Sequence, residues 1–289
     1  MLTTIRKVVL TGVLAALAGA QAWAVTPIAS CPFVIPAPGN YVVTKDLLGC
    51  LNGGIYIQAS NVSVNLNGHI ITGPPAAPIG NGISVNPGAI PHLNQIGISG
   101  PGLIQGFSIG ISIQDSDYVQ VTQTTVADNT AGIMATSVTQ LIVAGDVIVG
   151  SPGPSGGLSL TNSTGAQVSG NQAVGNSVGI SLASGDSNSL TGNVASGNTG
   201  SGIVLGPGTA AFPLTNSRVS SNTTNGNGKS GIEVLSLVSP GSFGNEIFSN
   251  LSSVGNVLTD LADDTFVPPC GTDFWSGNVF FTKNQACVK

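Results

Sequence analysis

The stretch "GISLASGDSNSLTGNVASGNTGSGIVL" (Gly179–Leu205) opens with Gly-Ile, sets Asn193 and Asn198 five residues apart, and returns to Gly-Ile. Gly followed by Ile or Leu recurs at Gly54, Gly82, Gly110, Gly132, Gly157, Gly179, Gly202 and Gly231, in steps of 28, 28, 22, 25, 22, 23 and 29 residues. A fixed beat with insertions is the mark of a repeat architecture, here with a unit of about 22 residues. One and three residues after each Gly the side chains are apolar, as at Ile111 and Ile113, Leu158 and Leu160, and Ile180 and Leu182. Period two describes a strand with one buried face. A second strand is read at Val119 and Val121, Leu141 and Val143, and Ala166 and Val168. A third, shorter one is read at Val126, Ile148, Ala173, Ala195 and Ile247.

Between the strands lie four Asn pairs of equal spacing: Asn171 and Asn176, Asn193 and Asn198, Asn222 and Asn227, Asn245 and Asn250. Asn tolerates left-handed backbone and suits sharp corners. Stacked on equivalent corners, its amides can also bond one another along the stack. Three strands and three corners per unit, without helical periodicity, predict a single-domain, all-β right-handed parallel β-helix of about eight to ten coils. Leucine-rich repeats, the nearest competitor in period, require a Leu-x-x-Leu-x-Leu frame that is absent.

The family resemblance lies in three stretches. "NVSVNLNGHIITG" (Asn61–Gly73) resembles the first full coil of the pectin-lyase-like superfamily of secreted β-helix proteins, with Asn65 where Asp is usual. "CPFVIPAPGNYVVTKDLLGC" (Cys31–Cys50) resembles the N-terminal cap of that group, and "PPCGTDFWSGNVFFTKNQAC" (Pro268–Cys287) its closing segment. The resemblance implies a fold rather than a reaction, since the superfamily holds lyases, hydrolases, epimerases and accessory proteins. The expected organisation is a signal peptide at 1–24, an N-terminal cap at 25–53, coils at 54–257 and a C-terminal cap at 258–289.

Arg6 and Lys7, the apolar run from Val8 to Ala20 and "AWA" before Val25 read as a secretory leader cleaved after Ala24. Its apolar run is too short to span a bilayer comfortably, and no later segment is long enough either, so no membrane insertion is expected after cleavage. The protein is expected in the periplasm or outside the cell. Four cysteines in such a compartment predict disulfides, and of three pairings the local one, Cys31–Cys50 with Cys270–Cys287, brackets one short segment each.

Charged residues make up 7% of the chain and apolar ones 41%, so a core can form while Ser, Thr and Asn carry the solubility. Without the leader, five basic residues face twelve acidic ones, a net charge near −7. Nucleic acid and anionic membranes are therefore not expected partners. An extracellular polysaccharide is the expected one, and a polyuronate would be repelled unless a cation intervened.

Candidate chemistry is sparse. Asp115, Asp117, Asp128, Asp146 and Asp186 all fall in corner columns of the repeat, which predicts turn chemistry for each. The outward positions of the first strand, such as Ser84, Ser112, Ser159 and Ser181, carry hydroxyls, with Glu233 the one charge. Glu233 and Glu246 could pair as acids. Arg218, the one Arg of the mature chain, reads as a glycan clamp or a solvated loop charge. His69 lies in the family-like first coil and His92 in an insertion, with no evident site between them. No cofactor is evident. Asp260, Asp263 and Asp264 are the candidate for Ca²⁺ but lack any full ligand pattern. Phe274, Trp275, Phe280 and Phe281 read as a cover for the last coil. The signatures of pectic hydrolases and alginate epimerases are missing, and no catalytic residue can be named. A non-catalytic carbohydrate-binding or structural protein is the favoured reading, with a polysaccharide lyase or epimerase and an adhesin-like surface protein as alternatives.

Overall fold

The computed structural model describes residues 24–75, 77–85, 92–206, 212–235, 242–252, 255–264 and 271–289. The leader and Cys270 lie outside these residues. Among them there are strands and corners and no helix. Every pairing is parallel, with each strand bonded to its equivalent one coil away, and the result is a parallel β-helix.

On the first face ten strands stack, from Phe33–Ile35 through Ile55–Ile57 and Ile180–Leu182 to Leu261–Asp263. Their register repeats the sequence beat: Ile111 pairs with Ile133, Ile133 with Leu158, Leu158 with Ile180 and Ile180 with Ile203. The second face runs from Val25–Ile28 and Gly39–Val43 to Glu246–Phe248 and Phe274–Ser276. The third includes Ile70–Thr72, Leu103–Gln105, Thr125–Ala127, Val147–Val149, Gln172–Val174 and Val194–Ser196. Residues 25–53 and 258–289 thus add rungs of their own. Cys31 is bonded to Cys50, and Cys287 is also disulfide-bonded.

Inward side chains fill the stack with aliphatic columns, and burial of each such residue contributes about 1.5–3 kcal/mol. Ile57, Val85, Ile113, Leu160, Leu182, Leu205 and Val234 form one such column, all fully buried. The Gly that opens each first-face strand has a packing reason. A Cβ on Gly179 would lie 2.4 Å from the Gly202 carbonyl oxygen, and one on Gly132 would lie 2.3 Å from that of Gly157. Backbones approach so closely at this corner that no side chain fits between coils.

The Asn residues act differently from the expected corner role. The left-handed residue is the one before them: Gly170, Gly192 and Ser221 have φ of 64°, 67° and 56° and precede Asn171, Asn193 and Asn222. The Asn side chains point inward and form ladders, as expected for stacked amides. Asn193 donates from its backbone N and from Nδ2 to Oδ1 of Asn222 (2.8 and 2.9 Å), while Nδ2 also reaches the Val168 carbonyl (2.9 Å). Asn198 does the same with Asn227 and Ala173. Asn245 belongs to another corner, receiving from Ser217 and donating to Asp273. The equal spacing of Asn245–Asn250 therefore joins two different ladders. Ile247 likewise belongs to the second face, between Val219 and Trp275.

Candidate functional site

The acids of the repeat sit at corners, as their columns predicted. Asp115 (φ 43°) shares a left-handed column with Ser137 and Asn162, and Asp128 (φ 52°) precedes the buried Asn129. Asp117 pairs in register with Asn94 and Thr139 and accepts from the Thr139 hydroxyl. Asn61, seven residues after its Gly as Asp117 is after Gly110, stands one residue along from that column, beside Gln95 and Tyr118, because Val62 is in register with Ile96 and Val119. Asp186 accepts from Ser187 (2.6 Å), Thr215 (2.5 Å) and Asn216 (2.7 Å), and these bonds hold its carboxyl below the usual aspartate range. Asp146 is fully buried in the Asn171 ladder, and burial pushes its pKa up.

The remaining candidates do not converge. Glu233 accepts from Ser201 (2.6 Å), while Glu246 pairs with Arg218 (3.3 Å). Arg218 is a strand residue of the second face, with its guanidinium 5.0 Å from the Phe248 ring, so neither loop nor isolated charge describes it. His69 bonds Asp46 (3.1 Å), and the Ile70 N–H and His69 hold the Asp46 carboxyl low. His92 stands 4.0 Å from Asp117.

Asp260, Asp263 and Asp264 point to separate partners. Asp260 accepts from the backbones of Phe281 and Thr282, Asp263 from Trp275 Nε1 (2.9 Å), and Asp264 from Asn284 (2.7 Å). Trp275 is buried in the second-face column, whereas Phe274 and Phe281 remain exposed. Several first-strand outward positions are buried, Ser84, Ser112 and Val204 among them.

What sequence reasoning missed is the outer surface of the second face. Its outward row runs through Asn40, Ser63, Gly97, Gln120, the half-buried Ile142, Gln167 and Ser189, with Arg218 on the next rung. Beside it stands a ridge of left-handed corner residues: Asn61, Gln95, Tyr118, Gln140, Gly165 and Ser187, with φ between 55° and 67° except Tyr118 at 54°. Two hollows lie along this row on adjoining rungs. One of about 360 Å³ is lined by Asn61, Ser63, Gln95, Gly97, Tyr118 and Gln120, and one of about 460 Å³ by Gln140, Gln167, Ser169, Ser189 and Thr191, among others. Neither has a charged residue in its lining. The signal available in sequence was the run of Gln, Asn and Tyr two residues before each outward position, which only the register makes into a ridge.

A family model described as "Periplasmic copper-binding protein (NosD)" matches residues 38–211 and again 110–267. No curated protein matches the chain significantly. Among solved structures, the periplasmic alginate epimerase AlgG T265N mutant aligns at a TM-score of 0.57 and 14% identity, over 91% of this chain and 74% of that one. A DFA-IIIase from Arthrobacter chlorophenolicus A6 aligns at 0.56 and 14%, over 85% and 65%. The Dettilon tailspike protein aligns at 0.57 and 14%, over 91% and 60%. These likenesses are likenesses of fold.

The residues present do not fit a resident copper ion. Copper(I) takes thiolate and thioether donors and copper(II) takes imidazole. Cys31 and Cys50 are oxidised together, and each of the two His keeps company with a different Asp. Met134 stands on the first face in register with Ser112 and Ser159. Among the described residues, no three His, Cys, Asp or Glu side chains are grouped as a metal site.

Proposed function

The chain belongs to the NosD family, a periplasmic family, and we propose that this member is an exported, non-catalytic β-helix protein that binds an uncharged polysaccharide on its second face. The observation that carries the reading is the uncharged trough of amides and hydroxyls beside the exposed Tyr118. Amides offer a donor and an acceptor side by side, and hydroxyls offer both on one atom, which suits the vicinal hydroxyls of sugars. The AlgG neighbour is named for alginate, a polyanion. The two hollows have no cation in their linings to meet its carboxylates, Arg218 on the rung after Ser189 is paired with Glu246, and the chain is itself acidic, so a neutral glycan is the better match.

The copper of the family description finds no donor set among the described residues, so the proposal assigns the ion no part in binding. The test is a glycan array run beside lyase and reducing-end assays, with and without Ca²⁺. Binding of neutral glycans without turnover is the expected result. Product formation would establish the lyase or epimerase alternative, and an array silent to every glycan would sink the reading in favour of a protein partner.

A further inference from the structure

Tyr118 is an anomaly of backbone and surface together. Its φ is 54°, in the left-handed region where the other coils place Asn61, Gln95, Gln140, Gly165 or Ser187. Bulky residues occupy that region at a cost of about 1–3 kcal/mol and do so mainly where surrounding structure or function requires it. No burial compensates Tyr118, because its side chain is 61% exposed. Its hydroxyl makes no hydrogen bond to a described residue. Packing therefore gives no account of why an aromatic ring stands at this corner.

Gly97 supplies the second half of the observation. In the outward row it lies in register between Ser63 and Gln120, and it lines the same hollow as Tyr118. Its φ is ordinary, and a Cβ built on it would meet nothing within 4 Å. The Gly that opens each first-face strand is held by a backbone contact and the corner Gly residues by positive φ, but Gly97, which also precedes an Ile, lies on the second face and has neither reason. Gly in a strand interior weakens the strand unless something approaches the backbone closely. The gap lies beside the ring of Tyr118, with the amides of Gln95, Gln120 and Asn61 around it.

We propose that Tyr118 and Gly97 form the seat of a single sugar ring within the trough, and that the ligand is a neutral polysaccharide chain running along the helix axis from this seat towards Gln167. This rests on the glycan-binding reading above and makes it specific. The C–H face of a pyranose is apolar and stacks on an aromatic ring, while Tyr keeps its polar end in water. The absent side chain at Gly97 lets the sugar sink to the level of the backbone, where Gln95 and Gln120 reach its hydroxyls. The chain passes the half-buried Ile142 between Gln120 and Gln167, and the second hollow beyond it takes further units. Coils are spaced about 4.8 Å apart, so the row from Gly97 to Ser189 extends roughly 19 Å, enough for several units.

The experiment measures binding of neutral hexasaccharides, such as β-glucan, mannan and xylan fragments, by calorimetry to the full secreted chain. Oligo-alginate of the same length is the charged control. Gly97→Gln fills the gap without touching the fold and is expected to weaken binding at least tenfold, with a melting temperature equal to or above that of the native chain. Tyr118→Asn, which suits left-handed backbone better, is expected to do the same, and Tyr118→Phe to bind like the native protein. Affinity is expected to rise from disaccharide to hexasaccharide. If the native chain binds a neutral glycan but Gly97→Gln and Tyr118→Asn bind it equally well, the seat is wrong and the general reading survives. Preference for oligo-alginate overturns the seat as well. If no hexasaccharide binds, the general reading fails with it.

Discussion

Asp146 occupies, one coil earlier, the place of Asn171 in the buried ladder: its backbone N–H donates to Oδ1 of Asn171 at 2.9 Å, as that of Asn171 donates to Asn193 at 3.0 Å. Oδ1 of Asp146 accepts from the N–H and hydroxyl of Thr124 (2.7 and 2.8 Å), but Oδ2 is buried without a partner. In Asn171 the equivalent atom is Nδ2, a donor to Asn193 and to the Val143 carbonyl. A carboxylate oxygen there finds no donor, whereas an amide nitrogen in that place can donate as that of Asn171 does.

Asp146→Asn is therefore expected to stabilise the protein by about 1–3 kcal/mol at pH 8, the cost of an unsatisfied buried group. The raised pKa gives the sign. Stabilisation by the neutral acid is full below the unfolded value and lost as pH rises through the folded one, so the gain from Asn shrinks in acid. Thermal melts of both proteins at pH 4 and pH 8 check this, and a variant less stable than the native chain at pH 8 contradicts it.

Asp273 ends the Asn245 ladder, and burial, reinforced by the charge of Asp263, pushes its pKa up to about 6 against the bonds from Asn245. This group should cost the native protein stability between pH 4 and pH 6, by up to about 3 kcal/mol, with no further loss from Asp273 above that. Asp273→Asn should flatten that slope. A melting temperature that rises across this interval, with the slope unchanged in the variant, would count against it.

Removing a middle rung is a harsher change. Asn193→Ala strips the acceptor from both donors of Asn171 and the donor from the Val168 carbonyl. A loss of about 3 kcal/mol or more is expected in urea unfolding, because each buried group left unpaired costs about 1–3 kcal/mol.

Gly179→Ala should prevent stable folding, since its Cβ would press on the Gly202 carbonyl. Gly192→Ala is the control: its Cβ meets nothing, and only the left-handed φ of 67° makes it costly, by about 1–2 kcal/mol. Soluble yield and circular dichroism separate the two outcomes.

Copper should bind weakly. Purified protein mixed with one equivalent of copper(I) or copper(II) is expected to yield the metal fully to a mild chelator, and His69→Ala with His92→Ala should leave this unchanged. Retention of one equivalent against the chelator would show a site that the donors in the chain do not suggest.

The stack was legible in the sequence because its causes are local and periodic. Gly-Ile marks a backbone contact repeated at each coil, and alternating Ile and Leu mark the buried side of a strand. The second-face trough was not legible, because Tyr118, Gly97 and Gln120 become neighbours only through register, and register near residue 61 slips by one against the Gly-Ile beat. Asn245 misled for a related reason. Its spacing to Asn250 copies that of Asn171 to Asn176, yet the chain between has advanced to another corner. The role of Asp263 was hidden too, since its cluster with Asp260 and Asp264 looks like a surface patch until the strand Leu261–Asp263 turns it inward.

That inward turn bears on the edge of the stack at this rung. Asp263 succeeds Val234 in a column otherwise built of aliphatic residues, and it meets Trp275 Nε1. A parallel stack offers its last backbone edge to any further strand, including that of another molecule. Here Lys283 bridges to Leu261 and the Asp263 N–H donates to Asn284, so the chain's own residues 282–284 lie on that edge, and a carboxyl group in the aliphatic column makes a further apolar layer costly to add.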